Sequence, residues 1–376
     1  MNIQRTITIL LPDDEDLRAT MAAFLSVQQQ LTTPCYNDGS PLGALALHRA
    51  CYRDVVGTLN SQMTCSAIRL TAGAYTSAKS NGKPAQRPFR FQRPRAFFLV
   101  GKRGRDADFR TDGTLSIWTV AGRKHISYTV PDAFKAALAT AKAIDSLSVI
   151  ERQGRLLGRV TLTLNAPEPH GILPVGIDLN ETNALVAVDP DGHTLFVSGR
   201  AVKVKNKRDY KTRKRVQKQH AARKAEGKDT HSVRRVLKRL GRKRSNRTRT
   251  FAQQAAKQLV TFAPPRAVLV FEALTVPQPE KGKVRGKANR RRLAVWQRQL
   301  IRQAATNQAQ ELGMMVAEVN PAYTSQNCAR CGLRGVRQRH RFTCPSCGHE
   351  AHADVNAAVN IRNRYTALRD SGLPVS

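Results

Sequence analysis

The pattern of apolar positions changes twice within the first half of the chain. Residues 2 to 11 are β-branched and partly alternating, which predicts a strand. From Leu17 to about Ser80 apolar residues recur at helical spacing. Short apolar runs separated by turn residues then continue to Leu164 and predict a β-barrel or small sheet, which the first strand rejoins. The predicted segments are a first strand, a helical insert and a barrel: 1–12, 13–83 and 84–172.

The pattern beyond residue 172 predicts a second, α/β domain over 173–322. Strand-like runs with turns cover 175–198, and RAVLVFEAL, which ends near Glu272, is a continuous apolar run typical of a buried strand. A loop is expected over 279–292, followed by a helix and a strand at 315–319. The expected apolar face of that helix contains Leu293, Trp296, Leu300, Ala304 and Leu312.

Charge narrows the class of partner. The 376 residues carry a formal net charge of +36 and a pI near 11.0, which implies a polyanion. We find no run of about 18 apolar residues and no signal-peptide layout at the N-terminus, so we expect a cytosolic protein that binds nucleic acid.

Half of the net charge lies between Lys203 and Arg249, a segment that contains 21 Lys and Arg residues and only three acidic residues. Apolar residues at helical spacing predict a pair of folded helices there, 203–249, rather than a disordered tail. A solvated face is the alternative, but so much charge repels itself unless phosphates lie nearby, which favours nucleic-acid contact. The candidate contacts are Lys214, Arg215, Arg234, Arg235 and Lys238.

Aromatic and arginine residues alternate in a second basic stretch, between Arg87 and Phe98. Such residues stack on bases and clamp phosphates in proteins that bind single strands. Phenylalanines in a core with arginines on a solvated face explain the stretch equally well, and the sequence leaves both open.

Two Cys-x-x-Cys pairs lie near the C-terminus and are separated by a spacer of twelve residues. A glycine follows each pair directly, and four thiolates at this spacing close a tetrahedral zinc site with no position left for water. Two disulfides or four unrelated core thiols are the alternatives. The ligands of this predicted ribbon, 323–350, are Cys328, Cys331, Cys344 and Cys347, whereas Cys35, Cys51 and Cys65 have no paired spacing and are expected to be reduced thiols.

Three carboxylates stand in distinctive places. Asp178 lies in an apolar strand, Glu272 ends a later strand, and Asp354 lies near the start of the final helix, in segment 351–376. Acidic clusters of this kind hold two Mg²⁺ or Mn²⁺ ions about 3.5–4 Å apart in enzymes that cleave phosphodiesters. Spacing alone does not select these three from the 27 acidic residues.

The order GID, then VFEAL, then YTSQNCARCG, FTCPSCG and ADVNAAVNI resembles the TnpB family, the transposon-encoded relatives of type V CRISPR effector nucleases. The resemblance spans roughly 175–362, and its last forty residues are the most specific. Residues 1–172 match only in layout, resembling a wedge barrel interrupted by a small helical recognition lobe. One departure is Asn180, where many relatives carry a glycine.

The resemblance implies an α+β multidomain protein: a wedge β-barrel with a helical insert, then an RNase H-like RuvC domain that contains the four-cysteine ribbon. It implies that Asp178, Glu272 and Asp354 are the split RuvC triad with Mg²⁺ or Mn²⁺, and that the zinc ribbon loads the target strand. It also implies a prokaryotic, nucleoid-associated endonuclease whose guide RNA comes from a transposon end. Double-stranded target DNA beside a short adjacent motif would be the substrate, and the protein would act as a monomer or dimer on its RNA.

Arginines of the ribbon fall close to Asp354, and one of them could neutralise a scissile phosphate, although holding a strand is the favoured role. They are Arg330, Arg337, Arg339 and Arg341. His352 could orient a ligand or water, or be a plain surface histidine. Rival functions are a nuclease-inactive RNA-guided repressor, a miniature type V CRISPR effector and a cut-and-paste transposase.

Overall fold

A computed structural model describes residues 1–101, 105–180, 182–273 and 287–372, with the backbone alone described over 287–297. The chain divides into two compact units, Asn2–Asn165 and Ala166–Ser376, the latter joined by Met1. No helix in the described ranges is both long and apolar enough to cross a membrane.

In its described residues, the N-terminal unit combines two small sheets with four α-helices. In chain order its elements are β1 (Asn2–Leu10), α1 (Glu15–Tyr36), a 3₁₀ turn (Asn37–Gly39), α2 (Ala44–Val55), α3 (Ser61–Ser80), β2 (Arg95–Leu99), β3 (Ala107–Phe109), β4 (Thr114–Thr119), β5 (Gly122–Ser127), α4 (Asp132–Ala139), β6 (Ala141–Arg152) and β7 (Arg155–Asn165). One sheet has the order β1-β7-β6-β2 and the other β3-β4-β5.

The first strand returns to the sheet that follows the helices, as the sequence predicts. β1 pairs antiparallel with β7 along its whole length, from Asn2 opposite Asn165 to Leu10 opposite Leu157. Isolated bridges join Leu10 to Thr129 and Val100 to Ala107, so the two sheets are linked at their ends.

Helix α1 begins where the sequence supplies a cap. The Asp14 carboxylate accepts a hydrogen bond from the backbone N–H of Leu17 at 2.9 Å, and Glu15 and Asp16 place negative charge at the helix N-terminus. The apolar face of the helix, including Leu17, Met21 and Phe24, is buried in the core.

The aromatic residues of the stretch from Arg87 to Phe98 belong largely to the core. Phe98 is fully buried, and Phe89 and Phe97 pack against the same cluster. The Phe89 ring lies 4.2 Å from that of Tyr75, whose hydroxyl accepts a hydrogen bond from the Phe89 N–H. The core explanation therefore holds for these phenylalanines.

The C-terminal unit is built on a five-stranded mixed sheet. Its elements are β8 (Leu173–Asp178), β9 (Asn183–Val188), β10 (Thr194–Ser198), α5 (Arg200–Ala225), α6 (His231–Phe262), β11 (Ala267–Glu272), α7 (Lys287–Glu311), β12 (Met315–Val319), β13 (Val336–Gln338), β14 (Arg341–Thr343), β15 (Glu350–His352) and α8 (Ala353–Asp370). The sheet order is β10-β9-β8-β11-β12: β8, β9 and β10 are antiparallel neighbours, and β11 lies parallel to both β8 and β12.

Alternate residues of each strand face opposite layers of helix, because successive side chains in a strand point to opposite faces. Val175, Ile177, Leu269 and Phe271 pack in a core with residues of α6 and α7. Val268 and Val270 pack instead with Ile361 and Tyr365 of α8. The central strands are therefore buried on both faces, which explains their continuous apolar sequences.

The basic helices predicted over 203–249 are α5 and the first half of α6, which continues without a break to Phe262. Arg247 joins the two helices: its Nη1 donates to the Asp209 carboxylate at 2.8 Å and to Asn206 at 3.1 Å. Of the residues of α5 only Val202 and Val216 are buried. The pair is therefore folded and presents nearly all of its charge to solvent.

Helix α7 begins earlier than the sequence predicts. It starts at Lys287, so the loop expected over 279–292 is wrong from residue 287 onward, and residues 279–286 lie outside the described ranges. Ala304 is buried, but Leu312 is 58% exposed because the helix ends at Glu311. The side chains of Leu293 and Trp296 are not among those described.

Candidate active site

The four cysteines predicted to bind zinc lie together. Their sulfur atoms are all within 4.8 Å of one another, with 3.7 Å between Cys328 and Cys347 and 3.6 Å between Cys331 and Cys344. A disulfide requires about 2.05 Å, whereas a tetrahedron with Zn–S bonds of about 2.3 Å places its sulfurs about 3.8 Å apart. The cysteines are unbridged thiols at the separation that zinc needs, so this donor set fits the metal.

The two halves of the ribbon repeat one backbone turn. The N–H of Cys328 donates to the Leu333 carbonyl and the N–H of Gly332 to the Cys328 carbonyl. Cys344, His349 and Gly348 repeat the same two bonds. Both glycines have positive φ, +78° at Gly332 and +69° at Gly348, which explains why a glycine follows each pair.

Asp178 and Glu272 end two neighbouring parallel strands. The register pairs Val270 of β11 with Gly176 of β8, and continuing this register by two residues would place Glu272 beside Asp178, consistent with the effect of the Glu272 charge on Asp178. Adjacent strands lie about 4.8 Å apart. Since Asp178 follows the alternation of Gly176, and Glu272 that of Val270, both carboxylates lie on the face of the sheet that α8 covers.

Asp354 lies in the first turn of α8 and is 1% exposed. Its Oδ1 accepts from Nη2 of Arg337 in the ribbon at 2.8 Å, and its Oδ2 accepts from Nδ2 of Asn183 in β9 at 2.8 Å. The third predicted acid is therefore held between the ribbon and the sheet.

The pKa of Asp178 depends on the charges of the other two acids. Its burial, followed by the charge of Glu272 and more weakly that of Asp354, raises the pKa of Asp178 from 3.8 to about 7, although a hydrogen bond from Asn180 and the charge of Arg298 act in the opposite direction. A carboxylate that is costly to ionise and has two acidic neighbours is a favourable ligand for a divalent cation.

The three carboxylates are not drawn into one tight group. Among the described residues, the groups whose ligand atoms all lie within 4.8 Å of one another do not include this triad. Glu272 accepts a 2.5 Å hydrogen bond from the hydroxyl of Thr324, while Asp354 is paired with Arg337 and Asn183. Each acid thus has a partner of its own, and the carboxylate oxygens suit Mg²⁺ or Mn²⁺ by their chemistry.

Asn180, which departs from the resemblance, organises the turn after Asp178. Its Oδ1 accepts from the backbone N–H groups of Thr182 and Asn183, both at 3.0 Å, and its Nδ2 donates to Asp178 at 3.3 Å. The side chain therefore supplies the turn geometry and at the same time orients the carboxylate.

His352 caps α8 and is not a free surface histidine. Its Nδ1 accepts from the backbone N–H of Asp354 at 3.2 Å, and its ring stacks on His340 and meets the edge of Phe196. The contacts therefore orient the start of the helix that carries Asp354.

Three residues interact with the acids although no pattern in the sequence indicates it: Asn183, Thr324 and Arg298. Arg298 of α7 is close enough to lower the pKa of Asp178, and its buried Nε has no hydrogen-bond partner among the described residues. No local spacing connects these residues to the acids, since Asn183 and Asp354 lie 171 positions apart.

The predicted nucleic-acid contacts are all exposed: Lys214, Arg215, Arg234, Arg235, Lys238, Arg330, Arg339 and Arg341. Arg341 is paired with Glu350 at 2.7 Å, and both side chains are more than half exposed. Arg337 is the ribbon arginine that reaches Asp354.

Residues 299–361 match the model of the Cas12f1-like TNB domain. A 180-residue stretch, 45% of this chain, is 30% identical to the TnpB-like protein aq_aa05 of Aquifex aeolicus and covers 56% of that protein. The resemblance to the TnpB family is confirmed.

The other matches agree with the TnpB resemblance. Over 64 residues, 16% of this chain, the sequence is 42% identical to the CRISPR-associated endodeoxyribonuclease Cas12f1 of Sulfoacidibacillus thermotolerans and covers 15% of it. The cryo-EM structure of a Cas12f1-sgRNA-target DNA complex aligns with 93% of this chain and 82% of its own, at a TM-score of 0.61 and 14% identity. The fold is therefore an α+β architecture like that of Cas12f1.

The sequence matches are partial. The chain aligns with little more than half of the Aquifex protein and a small part of the Cas12f1 nuclease. The TNB match contains all four cysteines and Asp354 but neither Asp178 nor Glu272.

Proposed function

We propose that the chain is an RNA-guided DNA endonuclease of the TnpB type, which uses Asp178, Glu272 and Asp354 to cleave phosphodiesters. The observation that carries this proposal is the placement of two carboxylates on adjacent strand ends, facing the helix that begins with the third. The raised pKa of Asp178 supports it, because the site concentrates negative charge that a divalent cation would neutralise.

The strand order supports an RNase H-like RuvC core for 173–322. Three antiparallel strands followed by two parallel ones, with helices on both faces, set Asp178 at the end of a central strand. We assign the N-terminal unit to a wedge barrel with its helical recognition insert, 13–83, and the ribbon, 323–350, to the loading of the target strand.

In this proposal, two Mg²⁺ ions would activate the attacking water and stabilise the leaving 3′ oxygen. Asp178, Glu272 and Asp354 would supply the oxygen ligands. Asn180 orients Asp178, Thr324 orients Glu272, and Asn183 orients Asp354, each through a hydrogen bond to the carboxylate. Arg337 donates a hydrogen bond to Oδ1 of Asp354. It would have to release this oxygen before the oxygen could bind a metal ion.

The partners we propose are a guide RNA transcribed from a transposon end and double-stranded target DNA with its displaced strand. Base pairing would read the sequence, so the protein mainly needs a cationic surface for the nucleic-acid backbone. The exposed charge of α5 and α6 supplies such a surface.

The test uses the full chain with the RNA that copurifies from its host, sequenced to identify the guide. We expect cleavage of a plasmid that carries the matching target, dependent on Mg²⁺ and on the RNA. Asp178→Ala, Glu272→Ala and Asp354→Ala should each lower the rate at least 100-fold while leaving binding of RNA and target within about threefold. Asp370→Asn, which changes an exposed carboxylate paired with Arg369, is the matched control. Cleavage by any triad variant at the rate of the unmodified protein refutes the assignment.

A further inference from the structure

Two asparagines of α8 hold the backbone of the first cysteine knuckle. Asn356 and Asn360 are one helical turn apart and face the segment Thr324–Ala329. Nδ2 of Asn360 donates to the carbonyl oxygens of Thr324 at 2.8 Å and Asn327 at 2.7 Å. The helix therefore contacts the chain just before Cys328 through side-chain amides rather than apolar groups.

Asn356 uses both ends of its amide on the two sides of Cys328. Its Oδ1 accepts from the N–H of Ala329 at 2.9 Å, and its Nδ2 donates to the carbonyl of Asn327 at 2.7 Å. The side chain is 1% exposed, and losing it would leave the half-buried N–H of Ala329 without this partner, while the Asn327 carbonyl would keep its bond from Asn360. The position of Cys328 and the position of α8 are thus fixed to each other.

The same segment reaches two of the three carboxylates. Thr324, 2% exposed, donates its hydroxyl to Glu272, and Asn356 follows Asp354 by two residues in the same helix. A second connection runs from Ala353, whose N–H donates to the His340 carbonyl of the ribbon at 2.7 Å. A shift of the first knuckle would therefore move both the hydrogen-bond partner of Glu272 and the helix that carries Asp354.

We propose that Asn356 is a positioning residue that couples zinc binding in the ribbon to divalent-cation binding at the carboxylates. A zinc ion held by Cys328 and the other three cysteines would fix the knuckle, because the free energy of metal binding contributes to folding in such a ribbon. Through its hydrogen bonds to the knuckle, Asn356 would fix the position of α8 and therefore that of Asp354. The inference rests on the proposed function, since it takes the three acids as a cation site.

Coupling of this kind is reciprocal: if zinc strengthens Mg²⁺ binding, Mg²⁺ strengthens zinc binding by the same factor. Mg²⁺ prefers oxygen ligands and does not compete for the thiolates, so zinc affinity with and without Mg²⁺ reports the coupling without confusion between the sites. Coupled sites in proteins typically change one another's affinity about 5–150-fold.

The experiment measures the zinc dissociation constant of the full chain by competition with a chromophoric chelator that does not bind Mg²⁺, at zero and saturating Mg²⁺. We expect zinc to bind at least fivefold more tightly with Mg²⁺. In Asn356→Ala the ratio should fall to within twofold of one. If Asn356 only stabilised the fold, both dissociation constants would rise together and their ratio would persist, which overturns the proposal.

Further variants guard the result. Asn360→Ala removes the second amide and should reduce the ratio at least twofold, and it decides the question if Asn356→Ala does not fold. Asn363→Ala, which loses one longer contact of 3.4 Å to Ala329 at the exposed end of the same face, should keep the ratio. An unchanged ratio in folded Asn356→Ala, or in Asn360→Ala when the first variant does not fold, contradicts the proposal.

The two proposals fail in different ways. A zinc affinity that ignores Mg²⁺ in a protein that still performs guided cleavage overturns the coupling and leaves the proposed function intact. A zinc affinity that responds to Mg²⁺ in a protein without guided cleavage supports the coupling and removes the nuclease assignment.

Discussion

Gly176 of β8 lies directly against the carbonyl oxygen of Ala358 in α8. A Cβ at position 176 would be 2.0 Å from that oxygen and 2.8 Å from the backbone nitrogen of Arg362. Since the neighbouring atoms are helix backbone, no side-chain rotation relieves the contact. The absence of a side chain at this position is what lets the helix that carries Asp354 approach the strand that carries Asp178.

Gly176→Ala should therefore separate α8 from the sheet. We expect a loss of about 1–3 kcal/mol or more in the free energy of unfolding, as for other overpacked sites, measured by urea denaturation. Guided cleavage should fall at least tenfold even where the protein remains folded. Gly241→Ala, in α6, is the control: the nearest atom to its Cβ is 3.7 Å away, and alanine should stabilise a helix interior by up to about 1 kcal/mol. Equal stability of the two variants would contradict this account.

The pKa of Asp178 predicts how the stability of the zinc-loaded, Mg²⁺-free protein depends on pH. Burial and neighbouring acids raise this pKa from 3.8 to about 7, so the folded state holds a proton that the unfolded state has released. The contribution of Asp178 to stability should then fall as pH rises from about 4 to 7 and level off above that. Relative to Asp178→Asn, the unmodified protein should lose at most about 4 kcal/mol across this window, measured by urea denaturation.

Added Mg²⁺ should reverse that loss at pH 8 in the unmodified protein and have little effect on Asp178→Asn. A difference between the two proteins that stays constant from pH 4 to 8 would show that the Asp178 carboxylate is not strained in the folded state.

The parts of this site that the sequence predicts are those with local patterns. Paired cysteines announce a knuckle through their spacing, and Glu272 is conspicuous because an acid follows a continuous apolar strand. The gathering of Cys328, Cys331, Cys344 and Cys347 is confirmed. The metal role of the three acids stays a prediction, supported by their shared face.

The partners of the acids escape sequence reasoning for a physical reason. Asn183, Thr324 and Arg298 are single polar residues whose role depends on tertiary contacts between distant segments, such as the hydrogen bond from Thr324 to Glu272. For Phe98 the sequence pattern is ambiguous, because a phenylalanine beside arginines fits a surface that stacks on bases as well as a core. The packing of the folded chain, in which Phe98 is fully buried, distinguishes the two.

Loss of one zinc ligand tests the ribbon. Cys344→Ser should lower the bound zinc from about one per chain to near zero and increase backbone hydrogen exchange over 326–352, because the small sheet β13-β14-β15 has a core of only a few residues around Phe342. Zinc content by metal analysis and exchange by mass spectrometry check this. Cys65→Ser changes an exposed thiol next to His48 in the other unit and should retain the zinc. A Cys344→Ser protein with full zinc would exclude the four-thiolate site.

The charge of α5 and α6 predicts that the affinity for guide RNA falls as the salt concentration rises. Single substitutions can measure how much each cation contributes to this dependence. Lys238→Gln removes one exposed cation, so the slope of log affinity for guide RNA against log salt should become shallower by roughly 0.7–0.9 if that lysine neutralises a phosphate. Its free energy of unfolding should stay within about 0.5 kcal/mol of the unmodified value. Filter binding across a salt series, paired with urea denaturation, measures both quantities.

Arg247→Gln gives the opposite expectation, because Arg247 is only 18% exposed and holds Asp209 of the neighbouring helix. This variant should lose about 1–3 kcal/mol of stability and keep the salt slope of the unmodified protein. If instead Arg247→Gln flattens the slope and Lys238→Gln does not, the nucleic acid lies against the inner seam of the helix pair rather than along its exposed charge. The proposed cationic surface would then be on the wrong side of these helices.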